Sequence, residues 1–136
     1  MIIRENTIQV EEYLSIRAQV GWKTLTKLQA EKALAGSLYV IGAYEGEQLI
    51  GMGRLVGDGA VICYVQDLIV LPDYQGKKIG TKLLDTLVRY VENLRIESSE
   101  MMLCLMCAKG REKFYEKHNF IARPTDTLGP GMIQYL

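Results

Sequence analysis

The hydrophobic pattern of this chain changes its period abruptly at Pro72. Ala60 to Leu71 is a long, mostly apolar run, which is typical of a buried β-strand. After a short loop, apolar residues recur at the spacing of an amphipathic helix, at Ile79, Leu83, Leu84, Leu87, Val88, Val91 and Leu94. Met101 to Met106 then returns to the continuous apolar pattern of a strand. Strand, helix and strand in this order predict a right-handed βαβ unit whose two strands run parallel.

Turn signals before this unit divide the chain into further strands. Leu38 to Tyr44 and Gln48 to Val56 are apolar runs on either side of a turn at Glu45-Gly46-Glu47. Asp58-Gly59 is a hairpin signal that leads into the run from Ala60 to Leu71. These runs therefore predict an antiparallel meander that ends in the first strand of the βαβ unit.

The first part of the chain predicts one strand and two helices. Ile2 to Ile8 has the composition of a strand, and Val10 to Ala18 has helical spacing, with Gly21 at its end. A capping box over Thr26–Gln29 begins the second helix, which Gly36 ends.

The last part predicts a short helix over Gly110–His118, which Asn119 would close because Asn tolerates a left-handed backbone. Phe120–Arg123 and Met132–Tyr135 are predicted closing strands around a loop from Pro124 to Gly131. The whole pattern predicts an α+β (α/β-like) fold, with a single mixed, mostly antiparallel sheet of roughly seven strands flanked by about four helices.

Size and charge narrow the class of protein. With 136 residues and 15.4 kDa, we expect a single domain over residues 1–136. Sixteen Lys and Arg residues balance sixteen Asp and Glu residues, whereas nucleic-acid-binding proteins usually carry a basic excess. No apolar run has the length of a membrane helix, and charged residues stand where a secretory segment is apolar. We therefore expect a cytoplasmic monomer or homodimer that binds neither nucleic acid nor a membrane.

Cys104 and Cys107 have the C-x-x-C spacing of many metal and redox sites. They lie in or beside the predicted strand Met101–Met106, where residues three apart point to opposite faces. One histidine and the distant Cys63 do not complete a zinc site. The sequence therefore predicts no metal site, and reduced cysteines fit a cytoplasmic protein.

The segment Pro72–Thr81, between the long strand and the long helix, carries two glycines and two lysines, namely Gly76, Gly80, Lys77 and Lys78. The first turn of a helix presents unpaired N–H groups and a partial positive charge, which suit a phosphate. A solvent-exposed basic turn fits the same residues. Neither the G-x-x-x-x-G-K-[ST] loop nor the G-x-G-x-x-G loop of nucleotide-binding proteins is present. A phosphate bound here would therefore belong to another kind of ligand.

The segment Asp67–Leu84 resembles the acetyl-CoA motif of the GNAT superfamily of N-acetyltransferases. The core of that motif, [QR]-x-x-G-x-[GA], lies between a strand and a helix, and Gln75–Gly80 stands in its place. Lys78 departs from it at the first glycine. Phe114–Phe120 resembles a second family element, F-Y-x-K-x-G-F, with Asn119 in place of the glycine. The order of the predicted elements also agrees with the family along almost the whole chain.

The resemblance implies a GNAT fold in which the cosubstrate acetyl-CoA lies between two parallel strands that splay apart, here Val65–Leu71 and Met101–Met106. The backbone of the first strand would pair with the pantetheine, and the loop would hold the pyrophosphate. The residues that the resemblance assigns to cofactor binding are Leu68, Ile69, Val70, Gln75, Gly76, Lys77, Lys78, Ile79, Gly80, Thr81, Phe114 and Lys117.

The resemblance also implies catalytic roles. Tyr115 matches the general acid that protonates the departing thiolate, although the pair Phe114-Tyr115 by itself also fits an aromatic core. Gln66 stands where family members often carry a glutamate that accepts the amine proton through water, and a Gln side chain cannot accept that proton. Asp67 is the neighbouring candidate base, although it faces the other side of the strand. A site with no dedicated base is the alternative.

Trp22 follows the first helix and would line the acceptor pocket together with Gln66, with core packing as the alternative for Trp22. The sequence thus predicts an enzyme, an acetyl-CoA-dependent N-acyltransferase whose acceptor is a primary amine of a small molecule or peptide. The alternative function is a non-catalytic acyl-CoA-binding module with a regulatory or sensing role. A third interpretation is a structural α+β domain whose loop resembles the motif by chance.

Overall fold

The computed structural model describes residues 1–136 and contains five strands and four α-helices. Their order and bounds are β1 (Ile2–Glu5), α1 (Val10–Gln19), α2 (Lys27–Ala35), β2 (Tyr39–Glu45), β3 (Gln48–Gly57), β4 (Ile62–Val70), α3 (Ile79–Leu94), β5 (Met102–Leu105) and α4 (Glu112–Glu116). A single 3-10 turn, Pro72–Tyr74, follows β4. The predicted α+β class and the number of helices are confirmed.

The five strands form one mixed sheet in the order β1-β2-β3-β4-β5. Each pair from β1 to β4 is antiparallel, so the predicted meander is confirmed. The N–H of Met102 donates to the carbonyl of Val61 at 3.0 Å. The beginnings of β4 and β5 therefore lie side by side, as the parallel pair of a βαβ unit requires.

The predicted number of strands is wrong, because the two closing runs, Phe120–Arg123 and Met132–Tyr135, form no strand. Ile121 is 77% exposed and Met132 is 88% exposed, so neither run buries the apolar surface that stabilises a strand. Strand propensity depends on packing against such a surface, and an apolar sequence alone does not provide it. Pro124, directly after the first run, also has no N–H for a ladder.

Residues with a left-handed backbone conformation, and one carboxylate, determine where several strands and helices begin or end. β1 stops at Glu5, short of the predicted Ile8, because Asn6 turns the chain with a φ of 54°. The Asp58 carboxylate accepts hydrogen bonds from three successive N–H groups, those of residues 60 to 62, and so delays the start of β4. Asn119 has a φ of 68°, which confirms its predicted left-handed conformation after α4.

Contacts within the chain define two compact units, Met1–Leu103 and Cys104–Leu136. The first unit holds β1 to β4 and α1 to α3, and the second holds α4. The single domain over residues 1–136 stays a prediction. None of the helices combines the length and the apolar character that a membrane span requires.

In the first unit, β3 separates two layers of helices. Met52 belongs to the core formed with α1 and α2, whereas Gly53, its neighbour, faces α3. A Cβ atom at Gly53 would lie 2.9 Å from Cδ1 of Leu87, so the glycine lets α3 approach the sheet closely. The apolar stripe of α3 is buried at this contact, and it comprises Ile79, Leu83, Leu84, Leu87 and Val91.

We expect Leu87→Ala to lower the free energy of unfolding by about 2–5 kcal/mol, because Leu87 is 0% exposed and its removal leaves a cavity against β3. The matched control is Leu28→Ala on α2, where the side chain is 60% exposed and the expected change is within about 0.5 kcal/mol. Urea unfolding measures both. Equal losses would contradict the packing of α3 described above.

Candidate functional site

The loop between β4 and α3 is shaped by one side-chain bond and two left-handed residues. The side-chain amide of Gln75 donates to the carbonyl of Val70 at 2.9 Å, which holds the loop against the end of β4. Gly76 (φ 77°) and Lys78 (φ 63°) then turn the chain into α3. The side chains from Gln75 to Lys78 are exposed. The predicted phosphate-binding segment is therefore an open loop directly before a long helix.

The N-terminus of α3 offers backbone donors. Lys78 is the N-cap residue, and no side chain caps the helix. The N–H of Lys82 donates to the carbonyl of Lys78 at 3.1 Å, so the N–H groups of Ile79, Gly80 and Thr81 precede the first helical bond. The helix dipole and the charges of Lys77 and Lys78 make this end electropositive. Such an arrangement suits an oxyanion.

The backbone of Lys78 explains the departure from the motif. A left-handed conformation costs a residue with a Cβ atom about 1 kcal/mol, whereas glycine adopts it freely. Lys78 occupies the first glycine position of the motif and keeps the left-handed conformation that a glycine there would adopt. The substitution therefore keeps the loop geometry and leaves every backbone N–H in place.

The three residues Leu68, Ile69 and Val70 lead straight into this loop. Ile69 is buried in the core on the α1 side, while Leu68 and Val70 are half-buried. Leu68 lies opposite Gly53 in the β3–β4 ladder. A ligand extended along this part of β4 would reach the electropositive start of α3 at the end of the strand.

A β-bulge lies in the middle of β4, and no sequence pattern predicts it. Arg54 pairs with Asp67 and Leu55 pairs with Val65, so Gln66 is an extra residue that β3 does not match. The Gln66 side chain is exposed, whereas the Asp67 side chain is 0% exposed. Bulges leave backbone groups outside the ladder and are frequent beside active sites.

Asp67 is the centre of a buried polar cluster. Its Oδ2 accepts hydrogen bonds from the Tyr13 hydroxyl at 2.8 Å and from Nε of Arg54 at 2.6 Å, and its Oδ1 accepts one from Nη1 of Arg17 at 3.3 Å. Burial raises the pKa of the Tyr13 hydroxyl, and the nearby carboxylate raises it further, so Tyr13 keeps the proton that it donates. Both carboxylate oxygens are thus engaged in holding α1 and β3 to β4.

Sequence reasoning missed Tyr13, Arg17 and Arg54 as partners of Asp67. They lie 54, 50 and 13 residues away from it along the chain. One signal was available, because Arg54 and Asp67 are charged residues inside two apolar runs. A charge in such a run is rarely buried unless it is paired.

Trp22 is placed by the end of α1. Gly21 takes a φ of 74°, and the N–H of Trp22 donates back to the carbonyl of Arg17 at 3.0 Å, which is the closing bond of a Schellman motif. The Trp22 ring then lies 5.4 Å from the guanidinium carbon of Arg17 and is half-buried. The predicted helix end at Gly21 is confirmed.

In the second unit, α4 carries the aromatic residues of the predicted catalytic element. Phe114 and Tyr115 are half-buried, and their rings meet edge to face with centroids 5.0 Å apart. Burial raises the pKa of Tyr115 to about 12, with a further increase from Cys107 and a small opposing effect from Arg111. Lys117, also assigned to cofactor binding, is exposed at the end of the helix. Tyr115 therefore stays protonated at neutral pH, as a general acid must.

No disulfide bond joins the cysteines, and Cys63 is buried whereas Cys107 is exposed. Burial raises the pKa of the Cys104 and Cys107 thiols, which makes them weaker nucleophiles and metal ligands. The chain brings together no group of three or more His, Cys, Asp or Glu side chains that could hold a metal ion.

Comparisons with known proteins agree with this geometry. Residues 35–122 match the family model of the acetyltransferase (GNAT) domain. An uncharacterised N-acetyltransferase of Prochlorococcus marinus is 26% identical over 122 residues, which is 87% of this chain. The chain spans 66% of the length of that relative.

Two solved structures share the fold over nearly the full length. A protein of unknown function from meticillin-resistant Staphylococcus aureus has a TM-score of 0.86 and 31% identity, and the match covers 98% of both chains. A GNAT-family acetyltransferase from Streptococcus pneumoniae has a TM-score of 0.80 and 29% identity, covering 99% of this chain and 97% of the other.

We expect Asp67→Asn to destabilise the protein by about 3–5 kcal/mol, because it leaves the buried guanidinium of Arg54 and the half-buried guanidinium of Arg17 without their carboxylate. The control Tyr13→Phe removes one hydrogen bond to the same oxygen and should cost about 1 kcal/mol. Chemical denaturation of both variants gives the comparison. If the Asn variant were as stable as the Phe variant, the carboxylate would not be the centre of the cluster.

Proposed function

Because the chain belongs to the GNAT family of acetyltransferases, we propose that it transfers an acetyl group from acetyl-CoA to a primary amine of a small molecule or peptide. The observation that carries the proposal is the uncapped, electropositive start of α3, which lies directly after the strand Leu68–Val70. Cysteines that form no disulfide are consistent with a location in the cytoplasm, where thiols stay reduced.

We place the pyrophosphate of the cosubstrate on the N–H groups of Ile79, Gly80 and Thr81. These donors have no helical partner, and an oxyanion there gains from the helix dipole. Gln75, Gly76, Lys77 and Lys78 would form the rim of this site. The backbone of Leu68, Ile69 and Val70 would pair with the pantetheine in the manner of an added strand. Phe114 and Lys117 complete the assignment by resemblance to the family.

The reaction needs a neutral amine, a polarised carbonyl and a proton for the leaving thiolate. The amine nitrogen forms a bond to the thioester carbon, the carbon–sulfur bond breaks, and the thiolate takes up a proton. Acetyl-CoA supplies the activated thioester. We infer that backbone N–H groups freed by the bulge at Gln66 polarise the carbonyl oxygen, as donors outside the β3 ladder.

Tyr115 is proposed as the general acid. With its pKa raised to about 12, the phenol holds its proton at neutral pH and can still give it to a thiolate that is forming beside it. The half-buried position of Tyr115 keeps its ring packed between Phe114 and Phe120, which fixes the direction of the hydroxyl.

The contacts of Asp67 favour a mechanism without a dedicated base on β4. Its oxygens already accept hydrogen bonds from three side chains, and it is 0% exposed. Gln66 has no acidic group at all. We therefore infer that the amine loses its proton to water, with Gln66 lining the acceptor side of the site.

Coenzyme A should stabilise the protein by about 2.7 kcal/mol when its concentration is a hundred times the dissociation constant. Gly80→Val should abolish this effect, because the new side chain occupies the place of the diphosphate. The control Lys78→Gly restores the motif residue and relieves the left-handed strain, so it should bind CoA at least as well as the native chain. Thermal unfolding with and without CoA measures all three. A native chain that gains nothing from CoA would refute the proposal.

Tyr115→Phe should lower kcat by roughly 10²–10⁴ while KM for acetyl-CoA changes little, because the proton moves only as the thiolate leaves. Since the pKa of Tyr115 is about 12, the loss should be the same across neutral and mildly alkaline pH. Steady-state kinetics follow once acetyl-CoA consumption has been screened over amines, aminosugars, amino acids and peptides. A rate within about threefold of native would show that Tyr115 only packs. CoA binding with no turnover on any amine would favour a non-catalytic module.

A further inference from the structure

The buried cluster around Asp67 contains one more positive charge than negative charge. The Asp67 carboxylate, 0% exposed, lies between the guanidinium groups of Arg54 and Arg17, whose side chains are 8% and 12% exposed. A buried charge is costly unless an opposite charge and hydrogen bonds compensate it. One of the two arginines therefore lacks a counter-ion within the cluster.

Arg54 is the arginine whose charge is compensated. Its Nε donates to Oδ2 of Asp67 at 2.6 Å, and its Nη1 donates to Oγ of Ser37 at 3.2 Å and towards the carbonyl of Ala33 at 3.4 Å. The short contact and the additional acceptors identify Arg54 as the primary ion-pair partner of Asp67.

Arg17 is bound less completely. Its Nη1 reaches Oδ1 of Asp67 at 3.3 Å, and its Nη2 donates to the carbonyl of Lys23 at 3.1 Å. Its Nε is buried and has no hydrogen-bond partner. Arg17 thus carries the surplus positive charge of the cluster on a side chain that is 12% exposed, and an oxyanion at its accessible side supplies the missing counter-ion.

The surroundings of Arg17 suit a small ligand at the surface of the first unit. Its guanidinium carbon lies 5.6 Å from the centre of the Tyr13 ring and 5.4 Å from the centre of the Trp22 ring. Trp22 and Arg17 are each half-buried, so the group is not sealed in the core. Aromatic faces hold the planar guanidinium in one orientation without using its donors.

We propose that Arg17 binds an oxyanion, a carboxylate or a phosphate, carried by the acceptor molecule, so that the acceptor is an acidic amine. This inference rests on the proposed acetyltransferase function. Asp67 holds Arg17 beside the bulged middle of β4, whereas the proposed pyrophosphate site lies beyond the end of β4, at the start of α3. The proposed oxyanion site at Arg17 and the proposed pyrophosphate site are therefore separate. Binding at the first is measured with acetate and phosphate, and binding at the second with CoA.

Direct binding is tested through Trp22, the single tryptophan of the chain, which lies against Arg17. Sodium acetate and sodium phosphate are titrated separately, with sodium chloride at matched ionic strength as the blank. We expect saturable changes in Trp22 fluorescence for at least one of the two probes. Arg17→Gln should weaken that response by about ten- to a hundredfold. The control Arg89→Gln, which removes an equal charge from an exposed position on α3, should leave it unchanged.

Turnover identifies the source of the oxyanion. Glycine is compared with glycinamide, and phosphoethanolamine with ethanolamine, because the members of each pair differ by the anionic group. The native enzyme should prefer the acidic member of at least one pair in kcat/KM. Arg17→Gln should remove the preference by raising KM for that acceptor, with KM for acetyl-CoA unchanged. Arg17→Lys keeps the charge but lacks the planar fork of guanidinium donors, so it should retain part of the preference even if the Gln variant unfolds.

Three results would overturn the proposal. The first is a native chain whose Trp22 fluorescence responds to neither probe, the second is an equal response in the native and Arg17→Gln proteins, and the third is an Arg17→Lys variant with native affinity. Thermal stabilisation by CoA is measured on the same samples. If CoA stabilises the protein while one of these results is found, the acidic acceptor is refuted and the acetyltransferase proposal stands.

Discussion

The buried carboxylate of Asp67 connects the elements on which the rest of the first unit depends. It accepts hydrogen bonds from Tyr13 and Arg17 of α1 and from Arg54 of β3, while its own backbone belongs to β4. Because Asp67, Tyr13 and Arg54 are buried, removing the carboxylate leaves the charge of Arg54 uncompensated at low dielectric. The contact therefore fixes α1 on the sheet at the point where β4 bulges. The acceptor side of the proposed site is built on this contact.

The proposed cosubstrate site depends on a different kind of interaction, in which the backbone would supply the binding groups. The donors at Ile79, Gly80 and Thr81 exist because a helix starts there without a side-chain cap. Such a site needs the left-handed turn at Lys78 more than it needs any particular side chain. This explains why a lysine can replace a glycine of the motif. In contrast, each member of the Asp67 cluster has a specific chemical role.

This difference decides how much the sequence could predict. The strand, loop and helix of the cosubstrate side are consecutive, so periodicity and the motif located them to within a few residues. In the cluster, Asp67 is separated along the chain by 54 residues from Tyr13, by 50 from Arg17 and by 13 from Arg54. No local sequence pattern pairs such distant residues. The bulge at Gln66 was missed because register depends on the neighbouring strand. The two absent closing strands show the same dependence, since their apolar residues find no surface to cover.

The proposed binding of an oxyanion by Arg17 also affects the acceptor amine, which must lose its proton before it can react. In water, the carboxylate or phosphate of an acidic amine stabilises the ammonium form and raises the pKa of the amine. If Arg17 takes that oxyanion, its charge is neutralised by the guanidinium and the stabilisation of the ammonium is lost. The pKa of the amine then falls towards neutrality, and more of the bound acceptor is in the nucleophilic form. The carboxylate of Asp67 is already engaged in hydrogen bonds, and Gln66 stands where family members often carry a glutamate. The lowered pKa of the amine would let such a site work without a catalytic base of its own.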